Sequence, residues 1–587
     1  MLFPYHRDRA CQLVLVYARL VEPLETEYTR GYPPLSRIAP NRSTRWGILL
    51  GCALTIVVVG HLHFANITFD DAFISFRYAE NLATGRGLVF NVGERVEGYS
   101  NFLWTVLFAV PVWLHVDRYE LGLLVTAKVL GVLLSIGTLL IVTRTASLGR
   151  SPEQRTAPLA ALYLASLAPF SIWGIGGLET PLVTLLIALA VHLHLCEDAT
   201  LCAGRPRIAW SYVALLLAAI TRPEPVVLIV PLAAARLARE YLCAGRARFK
   251  RALLELGLFA LPYATFLAFR YGYYGQFVPN TYFAKLGGDE SAVLRGSRYV
   301  AAASDHMNWL CLLVVCGSFI LLARRLSYRL GVVLLLTALQ IAVVLYEGGD
   351  WMPGCRLLVP SLPLIALLVS EAWRAIGLIS RADLAPTGGA PSWLIRPEWL
   401  AAWQTAVRNS AKQRWNMLLG RGLRVTAYAA LAMGCLASSV GSFDTIPMRA
   451  ELSGLHGLQL SHSRYFGIAR WMQHGLPGPG LLAIGEAGVI PYYTKLPILD
   501  LHGLMDPYVA RLPGAMHRKY DGDYVFRRKP RYVFLLVRRA ADGKLSSDHV
   551  YAQGLLEDPR FSERYGPLRD FGFAILYAEK SALNTQG

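Results

Sequence analysis

The segment FDDAFISFRYAENLATGRGLVF, Phe69 to Phe90, continues as NVGERVEGYSNFLW to Trp104 and holds the densest set of reactive side chains in the chain. Two adjacent carboxylates, Asp70 and Asp71, lead it. A helix starting there projects Asp70, Arg77 and Asn81 from nearly the same face, because seven residues make about two turns. Carboxylate, guanidinium and amide then converge on one spot. Helix capping by either aspartate is worth only about 1 kcal/mol and does not require the arginine, nor the second cluster of Glu94, Arg95 and Glu97. An Asp beside a second carboxylate and partly desolvated has a raised pKa and accepts a proton more readily. This makes Asp70 and Asp71 the catalytic candidates. Asp70 is favoured as base because its face carries Arg77 and Asn81, with Asp71 as a partner that tunes its pKa or binds an ion.

A wider set shares the predicted side of the chain with this pair: Glu179, Arg222, Glu224, Lys285, Asp350, Trp351 and Arg356. Arg77, Arg222, Lys285 and Arg356 are candidates to hold a phosphate, arginine being suited to bidentate contact. Each could equally serve as an interfacial anchor or a carboxylate's partner. Asn81, Glu97, Glu179, Glu224, Asp350 and Trp351 are candidates for substrate binding. Tyr273, Tyr274, Tyr346 and Trp351 could stack on sugar faces, although interfacial aromatic belts explain such residues as well. Asp70, Asp71, Glu179 and Asp350 could gather around a hard divalent cation, but no spacing compels it, so no cofactor is assigned.

These residues must be positioned by membrane helices. Of 587 residues 54% are hydrophobic and 17% charged, and the mean hydropathy of +0.38 is too high for a soluble protein of this size. Apolar runs able to cross about 30 Å of hydrocarbon recur from Trp46 to Phe443. Eleven crossings are predicted, near residues 46–63, 121–142, 157–175, 181–195, 208–220, 225–237, 252–271, 309–323, 330–346, 357–379 and 425–442. Phe102 to Leu114 is too short and holds Pro111, so it is read as a helix at the outer membrane surface. With the arginine-rich segment 1–45 inside, as a cytoplasmic tail or in part an over-long start, every strongly basic connector also falls inside, as topology determinants do. The candidate residues then all fall in outer loops, the first spanning 64–120. Mixed charge near membrane depth is costly unless paired or hydrated; as a set it marks a functional cavity.

From about Asp444 to Gly587 the composition turns mixed, and short apolar runs alternate with turns. Strands are expected at 481–484, 498–501, 532–537 and 573–577, with a helix at 487–494. The fold class is therefore an α-helical polytopic membrane domain, 46–443, followed by an extracytoplasmic α/β domain, 444–587. Nine scattered cysteines with no CxxC pair suggest neither a disulfide framework nor a zinc site. The net charge of +18 sits in connectors between apolar runs, which argues against nucleic acid.

The first outer segment resembles that of GT-C glycosyltransferases, integral-membrane enzymes that use polyprenyl-phosphate-linked sugars. Within that class the chain is similar to the group containing the terminal arabinofuranosyltransferases of arabinan assembly. The resemblance runs from about Thr68 to Pro507 through GGLETP (176–181), TRPEP (221–225), YYGQFVPNTYFAKLG (273–287), YEGGDWMPGCRLLVPSLP (346–363) and GEAGVIPYYTKLPILDLHGLMDP (485–507). It implies a GT-C fold of about eleven helices and an aspartate base in the first outer loop, mapping onto Asp70 or Asp71. It also implies a helix at the membrane surface after that loop, a polyprenyl-phosphate sugar donor and a glycan or glycolipid acceptor at the outer face of a bacterial inner membrane. One departure is plain: GERVE continues as GYSNFLW where the arabinan enzymes have a more polar stretch, so the resemblance implies the enzyme class and leaves the sugar open.

The chemistry agrees on independent grounds. A lipid monophosphate leaves readily once its charge is neutralised, so one base acting on the acceptor hydroxyl suffices, and in-line attack inverts the anomeric centre. The main alternative is a membrane transporter of a lipid-linked or small anionic substrate. Transporters place ionisable groups at the bilayer midplane on broken helices, often in repeated halves, and this chain shows no repeat. A non-catalytic scaffold would tolerate loss of both aspartates.

Overall fold

A computed structural model describes residues 42–149, 157–202, 208–244, 246–287, 291–304, 327–350, 352, 354–379 and 464–583. Within them, four helices are long and apolar enough to span a bilayer: Gly122–Ser147, Thr180–Ala199, Arg246–Tyr274 and Tyr328–Glu347. The predicted crossing at 157–175 is instead a pair of helices bent by 69°. Leu167 lies between them, and Pro169 of the second can supply no main-chain N–H to continue the ladder. The expected runs at 225–237 and 357–379 each open with a short 3-10 segment, Glu224–Leu228 and Arg356–Ser361, before an α-helix begins. Pro225 and Pro360 sit in those segments. The run at 208–220 becomes a helix of 12 residues, Trp210–Thr221. The crossings expected at 309–323 and 425–442 lie outside the described residues.

The short helix Phe102–Trp113 contains Pro111, as its sequence predicts. Beside it, Ala72–Ala83 buries most of its side chains. The two pack together, Phe76 meeting Phe108 at 5.1 Å between ring centroids.

The C-terminal region carries a five-stranded sheet in the order β2-β1-β3-β7-β6, from β1 (Leu482–Ile484), β2 (Ile498–Asp500), β3 (Tyr532–Leu536), β6 (Tyr565–Asp570) and β7 (Ala574–Glu579). β1 is parallel to both neighbours, and β7 is antiparallel to β3 and β6. The β1 and β2 side chains are wholly buried, as expected for parallel strands covered on both faces. Sequence periodicity located β1, β2, β3 and β7 to within about two residues. It missed β6, whose half-exposed YGPLRD lacks an apolar run, and the two-residue pair β4 (Arg538–Arg539) and β5 (Leu545–Ser546).

Candidate active site

Asp70 and Asp71 occupy the turn that enters helix Ala72–Ala83, and both sides of that turn are anchored. Upstream, the Phe69 ring stacks on Trp173 with centroids 4.2 Å apart and planes 7° from parallel. Its N–H donates to the Gly176 carbonyl at 3.4 Å. A Cβ at Gly176 would lie 2.7 Å from the Phe69 ring, so the first glycine of GGLETP is what admits that ring.

The two carboxylates then diverge. Asp70 turns toward the C-terminal domain, where its Oδ2 accepts from the Gly488 N–H and its Oδ1 from the Val489 N–H, each at 2.8 Å. Burial pushes its carboxyl up to about 7; the Val489 and Gly488 amides oppose the rise and Asp71 adds to it. Asp71 takes the N-cap position, yet its side chain makes no capping bond, and no described group donates a hydrogen bond to it. Its carboxyl is also raised, by burial first, with Arg356 and Lys285 opposing and Asp350 and Glu179 adding. It is therefore Asp71 that stands among the charges of Glu179, Lys285, Asp350 and Arg356.

Arg77 and Asn81 do share the predicted helix face, but both are committed to the main chain. Arg77 donates through Nε to Phe90 O at 3.0 Å, through Nη1 to Pro491 O at 2.7 Å and through Nη2 to Leu496 O at 2.8 Å. Asn81 donates to Val89 O at 2.8 Å and Phe90 O at 3.1 Å. Arg77 ties the first loop to the C-terminal domain, and Asn81 closes the first loop on itself. Glu97 pairs with Arg270 at 2.9 Å. Tyr273 accepts the Leu88 N–H and Tyr274 donates to Leu88 O, so these two rings fasten the first loop.

Glu179 is the hub of the remaining set. It is completely buried; its Oε1 accepts from Arg222 Nη1 at 2.7 Å and Arg356 Nη2 at 2.8 Å, and its Oε2 from Asn101 Nδ2 at 2.8 Å. Burial alone would raise this carboxyl, but Arg356 and Arg222 overcome burial and hold it well below the usual carboxylate range. Arg222 also forks onto Glu224, its Nε 3.0 Å from both carboxylate oxygens. Arg356 follows Cys355, whose backbone is left-handed at φ 54°, and Trp173 Nε1 donates to the adjacent Gly354 carbonyl at 2.8 Å. From there Arg356 Nη1 lies 3.1 Å from Met352 Sδ and 3.8 Å from Asp350 Oδ2. Its Nε has no partner among the described residues.

Lys285 ends the short helix Asn280–Lys285. It is exposed, bonds to no described side chain, and is close enough to bias Asp71 and Glu224 electrostatically. Trp351 lies outside the described residues. Of the four carboxylates considered for a cation, Asp70 is taken by two amides and Glu179 by two guanidinium groups. Among the described residues no three His, Cys, Asp or Glu side chains gather as metal ligands.

Beneath the hub lies a small pocket of about 20 Å³, room for about one water molecule. Arg222, Glu224, Glu347 and Arg356 border it at the helix ends; Val183, Ile187, Leu228, Val343 and Val344 line the remainder. A charged rim of two arginines and two glutamates thus gives onto an apolar wall.

Sequence reasoning passed over Asn101, which links Glu179 to Ser75 and Thr105 through bonds of 3.0 Å, and Glu486, whose Oε2 is buried without a partner among the described residues. Glu486 lies in the quoted GEAG string and carried no assigned role; Asn101 gave no signal beyond its place before an apolar helix.

The fold and this arrangement define the class. The chain has the GT-C fold: it aligns with the crystal structure of ArnT from Cupriavidus metallidurans bound to undecaprenyl phosphate, TM-score 0.54, over 91% of this chain and 98% of that one at 13% identity. In sequence it is similar to the terminal β-(1→2)-arabinofuranosyltransferase of Mycobacterium tuberculosis, 31% identical over 332 residues, 51% of this chain and 51% of that protein. The enzyme of the same name from Corynebacterium glutamicum is 28% identical over 352 residues, 53% and 48% of the two chains. The chain thus spans about half the length of the curated relatives it matches. Residues 455–580 match a family described as a domain of unknown function, DUF8728.

Proposed function

We propose that this protein is an inverting glycosyltransferase of the bacterial inner membrane, moving a sugar from a polyprenyl-phosphate donor to a cell-envelope glycan or glycolipid at the outer face. The observation that carries the reading is Asp71: a carboxylate raised by burial, with no hydrogen-bonding partner for its side chain among the described residues, in the field of Arg356 and Lys285. The C-terminal domain then lies outside the membrane with the first loop.

In this reading the phosphate sits beside Arg356, whose Nε has no partner among the described residues, and Lys285, which is unpaired among them, while the lipid chain runs outward along apolar helix surface. Arg222 is already neutralised by Glu179 and Glu224 and serves to orient Glu179. Asp71 takes the proton from the acceptor hydroxyl as that oxygen attacks the anomeric carbon. The bond from that carbon to the phosphate oxygen breaks, and the lipid monophosphate leaves with the bonding pair, held by the cations. Arg77 and Asn81 act on structure and Asp70 as partner, so the base is Asp71 rather than the Asp70 favoured from helix geometry.

Arabinofuranose is the first sugar to try, given the names of the relatives. The test is transfer by the purified, reconstituted protein from a panel of polyprenyl-phosphate sugars, read by mass spectrometry of the acceptor. Transfer from one donor supports the reading; vectorial movement of lipid-linked sugar without a new glycosidic bond would replace it with transport.

A further inference from the structure

We infer that the C-terminal domain aims the catalytic pair: the Gly488 and Val489 amides hold Asp70, which is thereby a positioning residue for Asp71. The inference rests on the reading of Asp71 as base and gives a role to a segment whose family has none assigned.

Neighbouring Cα atoms are only about 3.8 Å apart, so two directed bonds on the Asp70 carboxylate fix the backbone that carries Asp71. Phe69, clamped on Trp173, fixes it from the other side. Asp71 hangs between two anchors and needs no bond of its own. The second anchor is rigid because residues 485–488 leave the carboxyl end of β1, the strand flanked on both sides by parallel neighbours. Arg77 reinforces it by donating to Pro491 O and Leu496 O, just beyond the same loop. Position 488 has room only for glycine, since a Cβ there would overlap the Asp70 carbonyl oxygen and carboxylate. Gly488 has φ −91°, so the requirement is one of space and not of handedness.

A misplacement of about 1 Å in a reacting group can cost about 100-fold in rate. Gly488→Ala and Asp70→Asn, in the full chain in reconstituted membranes, should each lower kcat by about 10- to 100-fold while donor KM stays within about twofold. Because both act through one contact, the double variant should be no worse than the worse single variant. Lys495→Gln cuts the Lys495–Glu80 ion pair between the same two regions without touching Asp70, and should keep wild-type kcat. Wild-type kcat in either Gly488→Ala or Asp70→Asn, or multiplicative losses in the double, overturns the inference. If Gly488→Ala does not fold, Asp70→Asn against Lys495→Gln decides: equal kcat in the two refutes positioning. Full transfer by Asp71→Asn would instead defeat the assignment of the base.

Discussion

Glu179→Gln tests the electrostatic hub with one atom exchanged. The wild-type carboxylate neutralises part of two buried guanidinium groups and accepts one bond from each. Glutamine can keep both bonds through its amide oxygen, still donated by charged guanidinium groups, but it removes the negative charge that pairs with them, and its amide nitrogen would face the Asn101 Nδ2 donor. Breaking a buried pair outright costs about 3–5 kcal/mol, so with both bonds kept the expected loss is about 2–3 kcal/mol. Glu179→Ala removes the acceptor altogether and should approach the roughly 3–5 kcal/mol of a broken buried pair. Arg222 is buffered by its fork on Glu224, whereas the remaining carboxylate of Arg356 among the described residues is Asp350 at 3.8 Å. The released Arg356 should therefore swing toward Asp350 and Asp71 and lower the proton affinity of the base. Thermal unfolding in nanodiscs should show an apparent Tm lower by about 2–5 °C for Gln and further for Ala, and kcat should fall in both. Unchanged Tm and kcat in Glu179→Gln would refute the hub.

Arg356→Gln should raise donor KM and, by removing one arm of the buried hub, lower Tm as well, whereas Arg77→Gln, which removes bonds to three carbonyls, should lower Tm and kcat and leave donor KM close to wild type; equal donor KM shifts in both would contradict the division. The acid limb of kcat/KM should be displaced upward from the usual carboxylate pKa near 4, because Asp71, facing Arg356, Lys285, Asp350 and Glu179, must be ionised to act. Stability should run the opposite way. Burial pushes Glu486 up to about 8, with Asp70 adding to it, and Asp70 itself up to about 7. The folded state thus binds these protons more tightly, and its stability is greatest below about pH 4 for these groups and declines as pH rises to about 8. Glu486→Gln should flatten that decline in a Tm series from pH 5 to 8 and raise Tm at pH 8; an unchanged slope would exclude Glu486 as its source.

The membrane class and four strands of the sheet were legible in the sequence because each follows from local composition or periodicity. Helix geometry placed Arg77 and Asn81 on one face, where both bond the Phe90 carbonyl, but could not say what else the segment meets. Asp70 and Arg77 also meet backbone groups of residues more than 400 positions away, so side chains that look like a substrate site are spent on main-chain groups. Conversely, Glu179, Arg222 and Arg356 carry no shared period; their convergence is a product of three separate helix ends. The bend at 157–175 and the 3-10 openings at Glu224 and Arg356 were hidden because their prolines lie within otherwise continuous apolar runs.

The base assignment is tested most directly by comparing Asp71→Asn with wild type in single-turnover transfer at saturating donor. Asparagine keeps the shape and the N-cap propensity of aspartate but cannot take the acceptor's proton. General-base catalysis is worth about 100- to 10,000-fold, so the single-turnover rate should fall by that factor while donor binding and Tm hold. Transfer at the wild-type rate by Asp71→Asn would contradict the account.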